Sequence, residues 1–595
     1  MVSYTAPLDD IRFALYELLG YEGAVAMLPG YEEPTRDMVD PVLDELARFC
    51  ESELLPLNAP GDAEGCTFEN GVVRTPRGFK EAYRAFAMGG WTGLACDPHY
   101  GGQGLPNVLQ FVLEELICST NLSFGMYPGV SHVVYHALAL HGSDEQKRLF
   151  LPKIVDGTWS GTMCLTEPQC GTDLGLIRTK AEPDANNTYR ITGTKIFITA
   201  GEHDLTENII HMVLARLPSA PSGTKGISLF IVPKVLLRLD GTPGARNGVS
   251  CGSIERKMGI KASSTCAMDF DAAEGYLVGE PHKGMRYMFT MMNAARLAVG
   301  IQGLGLAETA YQSAVAYARE RLQGRSPSGP KFPDKAADPI IVHPDVRKNL
   351  LTMRAYNESA RALIIWIGMA LDVAAKHPDP ARRMEADDLV GLMTPVIKAF
   401  FSDYGFEATN LGLQVFGGHG YIRDSGMEQL VRDARIAQIY EGTNGIQALD
   451  LVGRKMPQHS GRLLRSFFHP VSRFIEETVG DSQLQEFVAP LAKAFAKLQQ
   501  VTVWIAQEGL RNREEAGAAA SDYLRMFALV ALAYMWARMA KVAAGKAGDE
   551  KNAFYRAKLA TANFYMRRLL PQTSGLFAAI TAGAGPIMGV REEWF

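Results

Sequence analysis

The spacing of apolar and polar positions changes twice along the 595 residues of the chain. Residues 1–160 place apolar side chains at helical spacing, as at Val42, Leu43 and Leu46. In the middle third, short β-rich runs alternate with clusters of Gly, Asn, Pro and Ser, which is typical of strands joined by turns. Helical spacing then returns. We therefore predict an α+β protein, mainly α, with domains at 1–160, 161–283, 284–455 and 456–595.

The same patterns predict individual elements. Strands are predicted over residues 189–192, 195–199, 209–217 and 226–232, as parts of a small antiparallel barrel or sandwich. Long helices are predicted over residues 285–321, 344–376, 387–412, 484–510 and 521–546, the last two as an antiparallel pair. Residues 323–344 contain five prolines and are predicted to form an exposed loop.

Glycines at 300, 303 and 305 fall within the predicted helix over residues 285–321. They follow no strand and lack the spacing of a dinucleotide-binding fingerprint. We interpret them as positions where two helices pack closely.

Charge is distributed unevenly. The whole chain has a net charge of −5, which gives no general electrostatic case for nucleic-acid binding. From Lys455 to the end, however, 18 Lys and Arg face 12 Asp and Glu, a net charge of +6. The simplest interpretation is a solvated helical surface. The alternative is a face that binds an anion or an acidic partner.

The cysteines and the apolar runs indicate the cellular compartment of the protein. Eight scattered cysteines, with no Cys-x-x-Cys, predict neither a disulfide framework nor a metal site, and they favour a reducing cytoplasm. The N-terminus lacks the basic and apolar regions of a signal peptide. The longest helical apolar run, residues 526–537, is too short to span a bilayer and is interpreted as a buried helix. No integral membrane segment is predicted.

The sequence around one carboxylate suggests a catalytic role. Glu441 lies between Tyr440 and Gly442, downstream of a glycine-rich turn. The glycine lets a ligand approach the backbone, so the Glu441 N–H could bind a substrate oxygen while its side chain reaches the neighbouring carbon. This arrangement suits removal of a proton α to a carbonyl. The alternative is a solvated Glu at a helix end capped by glycine.

Six segments, in order along the chain, resemble those of the acyl-CoA dehydrogenases. They are residues 164–173, 193–199, 293–296, 317–321, 414–421 and 439–444. The resemblance covers roughly residues 40–455. It implies an N-terminal α domain, a middle antiparallel β-barrel domain and a C-terminal four-helix bundle. The additional helical module resembles the larger bacterial branch, which includes fatty acyl-CoA and 3-methylthiopropionyl-CoA dehydrogenases.

The resemblance implies an FAD-dependent conversion of an acyl-CoA to the trans-2-enoyl-CoA. Glu441 would take the α-proton, and hydride would pass from Cβ to flavin N5. Electrons would then go to an electron-transferring flavoprotein. A fatty acyl-CoA is the first expectation for the substrate, in β-oxidation, and 3-methylthiopropionyl-CoA is the alternative. Two rival hypotheses are an acyl-CoA oxidase that uses O₂ and a flavoprotein that binds nucleic acid through its basic module.

Site residues are carried over by position from the family. The resemblance implies that FAD is bound by Met163, Leu165, Thr166, Thr172, Phe197, Thr199, Arg321, Gln414, Gly417, Gly418 and Thr443. It implies that substrate is bound by Thr172, Asn293, Arg296, Tyr440 and Gly442. Arg321 and the turn at 414–418 would reach the FAD of a partner subunit, so a homo-oligomer, with a dimer favoured, is expected. Phe197 and Thr199 could otherwise be ordinary strand residues. Cys170, Asn293 and Gly445 depart from the family pattern.

Overall fold

The computed structural model describes residues 2–25, 28–31, 33–238, 241–548 and 552–595. Packing divides the chain into two compact units. Unit 1 comprises Met1–Ala47, Pro106–Ser119 and Val299–Phe595, and unit 2 comprises Arg48–Leu105 and Thr120–Ala298. The division into four domains is a different partition and stays a prediction.

Unit 2 is built around a seven-stranded sheet. Its strands are Trp159–Cys164, Lys180–Pro183, Tyr189–Thr199, Asn208–Arg216, Ile227–Pro233, Val249–Ile254 and Thr265–Leu277. All but Trp159–Cys164 and Val249–Ile254 close into a ring, because Thr265–Leu277 pairs with Tyr189–Thr199 on one side and with Ile227–Pro233 on the other. The predicted barrel is confirmed. It is not wholly antiparallel, since Trp159–Cys164 and Lys180–Pro183 both run parallel to Asn208–Arg216.

Two strand predictions need correction. The predicted strands at 189–192 and 195–199 form one strand, Tyr189–Thr199. Gly193, read as a break, lies inside it, where a Cβ would come within 2.9 Å of the Thr179 backbone. The longest strand, Thr265–Leu277, was not predicted because Asp, Glu and Ala interrupt its pattern. Its buried face is nevertheless regular and carries Cys266, Met268 and Phe270.

Unit 1 is helical. Its main helices include Arg36–Phe49, Pro344–Lys376, Pro380–Phe416, Met427–Arg435, Asn444–Asp450, Arg462–Thr478, Gln485–Arg511, Arg513–Ala544, Ala553–Phe564 and Gln572–Thr581. Asn107–His141 and Gly284–Glu320 contribute to both units, and Leu55–Glu64, Phe79–Met88 and Asp144–Val155 belong to unit 2. The predicted helix over 387–412 begins earlier, at Pro380, because the Asp379 side chain caps it by accepting from the Ala381 N–H at 2.8 Å.

The glycines of Gly284–Glu320 allow close packing of helices, as predicted. A Cβ at Gly303 would lie 2.2 Å from the Phe401 carbonyl oxygen, and one at Gly300 would lie 2.6 Å from Ile397. On the opposite side, a Cβ at Gly305 would come within 2.8 Å of the Ser119 nitrogen. These contacts fix the helix that carries Gln302 against its neighbours.

A buried ion network connects distant segments of unit 1. The guanidinium of Arg361 contacts Glu115 at 2.7 Å and Glu308 at 3.0 Å, and it also bonds Asp10. Lys558, from the C-terminal module, contacts the same Asp10. Each charge in this network is compensated, which is the condition under which charges remain buried.

Helix Arg513–Ala544 is the core helix of the C-terminal module. By length and composition it could cross a membrane, but 83% of its most apolar window is buried inside the protein. The interpretation as a buried helix is confirmed. The argument from length was wrong, because the helix has 32 residues. It packs on Gln485–Arg511 as predicted, and Thr502 and Tyr523 share a hydrogen bond of 2.8 Å between the two helices.

Candidate active site

Residues 439–444, here called the base loop, join the short helix Ile436–Gln438 to helix Asn444–Asp450. Glu441 lies in the left-handed backbone region, with φ of 56°, and Gly442 follows with φ of 87°. A side chain with a Cβ rarely adopts this conformation, and the exceptions cluster at functional sites. The loop therefore holds Glu441 in a backbone conformation that costs free energy.

Asn444 fixes the end of the base loop. The two N–H groups of its amide have three acceptors within hydrogen-bond distance, which are the Ala399 carbonyl at 3.1 Å, Ser402 Oγ at 3.0 Å and Asp403 Oδ1 at 2.7 Å. Its amide oxygen accepts from Lys398 Nζ at 2.8 Å. These partners all lie on helix Pro380–Phe416. Asn444 was not singled out from the sequence. The available signal was an asparagine directly after the Thr that begins a helix.

Tyr440 fixes the other side of the loop. Its hydroxyl donates to the Gln302 side chain on helix Gly284–Glu320. Burial raises the pKa of Tyr440, and the nearby Cys118 and Glu441 add to the rise. The phenol is thus a neutral hydrogen-bond donor beside the carboxylate.

Thr443 has a structural role within the loop. Its side chain caps helix Asn444–Asp450 by accepting from the Ile446 N–H at 3.3 Å. The Gly442 carbonyl accepts from Gln447 Nε2 at 3.3 Å. Thr443 is exposed, and Gly442 is half-buried. The FAD contact expected of Thr443 stays a prediction.

A second group of expected site residues lies in unit 2, in residues 163–172 and the strand Tyr189–Thr199, here called the flavin segment. The Thr166 carbonyl accepts from the Ile196 N–H at 2.9 Å, and the Leu165 carbonyl accepts from Lys195 Nζ at 3.1 Å. These bonds place Leu165 and Thr166 alongside the strand that carries Phe197 and Thr199.

The flavin segment is held by a buried ion pair. Glu167 Oε1 accepts from Lys195 Nζ at 2.8 Å and from Thr179 Oγ1 at 2.6 Å, and its other oxygen accepts from the Arg178 N–H at 2.7 Å. Burial alone would raise the pKa of Glu167, but the Lys195 ammonium and these hydrogen bonds outweigh it and lower the pKa to about 2. Neither residue was assigned a role from the sequence, although both lie inside the quoted motifs.

Phe197 has an unusual conformation for a strand residue. Its φ is 58°, and its side chain is 59% exposed. The ring therefore lies on the surface and not in the core, and its expected contact with flavin stays a prediction. Thr166 and Thr199 are half-buried, as are Met163 and Leu165, and Thr172 is exposed. Their side chains are accessible to a ligand.

The structure brings Arg321 near the turn at 414–418 in unit 1. Tyr317, one helical turn before Arg321, stacks on Phe416 with ring centroids 4.2 Å apart. The Tyr317 hydroxyl lies 3.3 Å from His419 Nδ1. Gly417 ends helix Pro380–Phe416 with φ of 60°. Arg321 and Gln414 are exposed, and among the described residues their side chains have no ion-pair or hydrogen-bond partner.

The proline-rich loop after Arg321 is more ordered than predicted. Although most of residues 323–344 are exposed, Asp338 is completely buried. It accepts from the Ser326 N–H at 2.9 Å and the Phe332 N–H at 2.8 Å. The loop therefore folds around one carboxylate, which the composition did not reveal.

Asn293 and Arg296 lie one turn apart on helix Gly284–Glu320. Asn293 is exposed, whereas Arg296 is only 5% exposed. Their predicted contacts with substrate stay predictions.

Comparison with known proteins supports the resemblance. Family models match residues 39–158 (acyl-CoA dehydrogenase, N-terminal domain), 162–273 (middle domain), 282–456 (C-terminal domain) and 467–591 (acetyl-CoA dehydrogenase C-terminal like). The 3-methylmercaptopropionyl-CoA dehydrogenase of Ruegeria pomeroyi is 42% identical over 98% of both chains. The chain belongs to the acyl-CoA dehydrogenase family.

Two further comparisons concern this acyl-CoA dehydrogenase along its whole length. The broad-specificity linear acyl-CoA dehydrogenase FadE5 of Mycobacterium tuberculosis is 33% identical over 100% of both chains. The crystal structure of Caenorhabditis elegans ACDH-11 has a TM-score of 0.78, with 18% identity, over 100% of this chain and 96% of that chain. The predicted fold, including the additional helical region, is confirmed.

Acyl-CoA dehydrogenases depend on FAD, and this chain is a flavoprotein oxidoreductase acting on acyl-CoA. The described residues fit such a cofactor. A Cβ at Gly417 or Gly418 would meet no atom within 4 Å, so the backbone there is open to a phosphate. Phe197 presents an exposed aromatic ring, and Arg321 presents a planar fork suited to phosphate oxygens.

Proposed function

We propose that this acyl-CoA dehydrogenase converts a saturated acyl-CoA to the trans-2-enoyl-CoA, with Glu441 as the base that takes the α-proton. The observation that carries the proposal is the left-handed backbone of Glu441, held on one side by Tyr440 and on the other by Asn444. Such over-determined geometry positions a base before substrate arrives. The Glu441 N–H is proposed to donate to the thioester oxygen, where negative charge develops.

We further propose that FAD is bound by Met163, Leu165, Thr166, Thr172, Phe197 and Thr199, with Thr443 contributing from the base loop. FAD supplies the acceptor for the hydride that leaves Cβ. Thr172, Asn293, Arg296, Tyr440 and Gly442 are proposed to contact acyl-CoA. Arg321, Gln414, Gly417 and Gly418 are proposed to bind the FAD diphosphate of a partner subunit, which makes a homodimer the expected active form.

For the acyl group we propose 3-methylmercaptopropionyl-CoA first and a short fatty acyl-CoA second. The sequence alone favoured the reverse order. The 42% identity to a 3-methylmercaptopropionyl-CoA dehydrogenase, against 33% to a broad-specificity linear acyl-CoA dehydrogenase, supports the change. Pentanoyl-CoA is the matched comparison, because a methylene replaces the sulfur at the same chain length.

Electrons are proposed to leave through an electron-transferring flavoprotein in the cytoplasm. An oxidase of this fold would instead pass them to O₂. Turnover in air with no electron acceptor distinguishes the two, since an oxidase would form hydrogen peroxide in proportion to enoyl-CoA. Static light scattering tests the dimer, and a mass of four chains would contradict it.

The substrate is tested by anaerobic titration of the purified yellow protein, with the visible absorbance of flavin as the readout. We expect 3-methylmercaptopropionyl-CoA to bleach the flavin at lower concentration than pentanoyl-CoA and longer straight chains. A clear preference for a longer chain would contradict the substrate assignment. Absence of bleaching with every thioester, in protein that retains FAD, would contradict the dehydrogenase itself.

A further inference from the structure

A basic pocket in unit 1 is separate from the residues proposed for FAD and acyl-CoA. It has a volume of about 360 Å³ and is lined by Lys348, Thr352, Phe564, Arg567, Arg568 and Leu569. Lys348 and Thr352 belong to helix Pro344–Lys376. Arg567 and Arg568 belong to the π-helical segment Tyr565–Leu569 of the C-terminal module. The pocket is thus formed only when the module packs on the family core.

Within the described part of the chain, the three cations of this basic pocket have no ion-pair partner. Lys348, Arg567 and Arg568 are all exposed, and no carboxylate among the described residues forms an ion pair with them. Helix Pro344–Lys376 carries three acids. Glu358 is already bonded to Arg354 at 2.6 Å and to Lys558 at 2.7 Å, and Asp372 accepts from the Asn107 N–H at 2.7 Å. Asp345 lies three residues before Lys348 but forms no ion pair with it. Three like charges at one concave site repel each other, so an anion bound there would be favoured.

The side chains that line the pocket indicate which class of anion it binds. Arginine presents a planar fork that binds phosphate oxygens in pairs, and two neighbouring arginines suit two phosphate groups. The Thr352 hydroxyl already donates to the Lys348 carbonyl at 2.8 Å, so it adds no free donor. Phe564 is half-buried and supplies an aromatic wall. The volume of about 360 Å³ lies within the range of pockets for small organic ligands, which is more room than one inorganic phosphate needs.

We propose that this basic pocket binds a nucleoside diphosphate, with Arg567, Arg568 and Lys348 on the phosphates and Phe564 against the base. The net charge of +6 from Lys455 to the end of the chain is then explained in part by an anion site. The same chemistry occurs in free ADP and in the ADP portions of coenzyme A and FAD, so the test must separate these sources.

The test is calorimetric titration of the FAD-loaded enzyme with ADP, and separately with coenzyme A and inorganic phosphate. We expect Arg567→Ser/Arg568→Ser to weaken ADP binding by about tenfold or more, because two charge-assisted contacts are lost. Arg567→Lys/Arg568→Lys, which keeps the charge without the fork, should be intermediate. Arg473→Ser/Lys493→Ser removes two exposed cations elsewhere in the module and should leave binding unchanged.

Flavin content and acyl-CoA turnover should be unchanged in Arg567→Ser/Arg568→Ser. If the variant binds both ADP and coenzyme A more weakly than wild type, the site is supported and coenzyme A is a candidate occupant. If it binds only ADP more weakly, the free nucleotide is favoured. Equal ADP affinity in the variant and wild type would overturn the proposal. Loss of FAD from the variant would also overturn the proposal, because the pocket would then belong to the cofactor. Inorganic phosphate binding as tightly as ADP would overturn it as well.

Discussion

The base loop and the flavin segment both hold a residue in the left-handed region, but they are stabilised by different chemistry. In the flavin segment, a buried carboxylate and ammonium, Glu167 and Lys195, join residues 163–172 to the strand Tyr189–Thr199. In the base loop, the amide of Asn444 and the phenol of Tyr440 carry no charge. Phe197 and Glu441, with φ of 58° and 56°, are the residues held in place.

The difference matches the chemistry proposed for each region. A fixed carboxylate close to Glu441 would disfavour its ionised form, and a fixed ammonium would stabilise that form and make it a weaker base. In the base loop the anchors Asn444 and Tyr440 are themselves neutral. Asn444 also bonds the Lys398 ammonium and the Asp403 carboxylate, whose opposite charges have opposing effects on Glu441. The flavin segment is proposed to position a cofactor without itself transferring a proton, so a strong ion pair there leaves the chemistry unaffected.

Breaking the ion pair should give the largest effect. Glu167→Gln leaves Lys195 buried without its counter-charge, and we expect a loss of about 3–5 kcal/mol in unfolding free energy. The double variant Glu167→Leu/Lys195→Met removes both charges and should recover most of this loss. The urea midpoint of unfolding measures both. A single variant as stable as wild type would show that the pair does not hold the flavin segment.

The ion pair also predicts a pH dependence. Because the folded protein lowers the pKa of Glu167 from 4.5 to about 2, the pair stabilises the fold fully above about pH 4.5. Its contribution is lost as pH falls from 4.5 towards 2. The difference in urea midpoint between wild type and Glu167→Gln should therefore shrink in this window. A difference that stays constant between pH 5 and pH 3 would contradict the assignment.

Loosening the base loop should have an intermediate effect on stability and a selective effect on rate. Asn444→Ala removes the two N–H donors that bond helix Pro380–Phe416 and the oxygen that accepts from Lys398, and we expect a loss of about 1–3 kcal/mol. Anaerobic flavin reduction should slow by about tenfold or more, because Glu441 is less precisely placed. Flavin content should not change. Thr443→Ala is the comparison for stability alone, since Thr443 is also a proposed FAD contact. It removes the cap of helix Asn444–Asp450 and should cost about 1 kcal/mol. Reduction at the wild-type rate in Asn444→Ala would contradict a positioning role.

Relieving the backbone should have the smallest effect, and it should be similar in the two regions. Glycine has no Cβ penalty at positive φ, whereas alanine keeps it. We expect the unfolding free energy of Glu441→Gly to be about 1 kcal/mol higher than that of Glu441→Ala. The unfolding free energy of Phe197→Gly should be higher than that of Phe197→Ala by a similar amount. Thermal unfolding of the four variants measures this. Equal stability of each Gly and Ala pair would show that neither residue is strained in solution.

The sequence predicted whether a region is helical or β-rich better than it predicted the individual helices, strands and buried polar residues. Helices such as Pro344–Lys376 were predictable because their apolar spacing is long and regular. The strand Thr265–Leu277 was not, because its acidic residues mask a buried face that only pairing on both sides reveals. Asp338 was also missed, since a proline-rich loop has no periodic signal.

Within the candidate site, the motifs predicted roles for Glu441 and Thr166, and these roles stay predictions. The side chains that support these two residues depend on tertiary contacts. Asn444 bonds Ser402, 42 residues earlier, and Lys195 bonds Glu167, 28 residues earlier. No local pattern in one sequence links such positions. The left-handed conformation of Glu441 was also unpredictable, because Gly442 beside it was the expected position for positive φ.

The central claim is that Glu441 takes the α-proton, and stopped-flow reduction of the flavin under anaerobic conditions tests it most directly. The comparison is between wild type and Glu441→Gln, at matched flavin content, with 3-methylmercaptopropionyl-CoA and pentanoyl-CoA. The account predicts that Glu441→Gln still binds the acyl-CoA but reduces its flavin about 10²–10⁴-fold more slowly, which is the usual contribution of a general base. Reduction of the variant at the wild-type rate would contradict it.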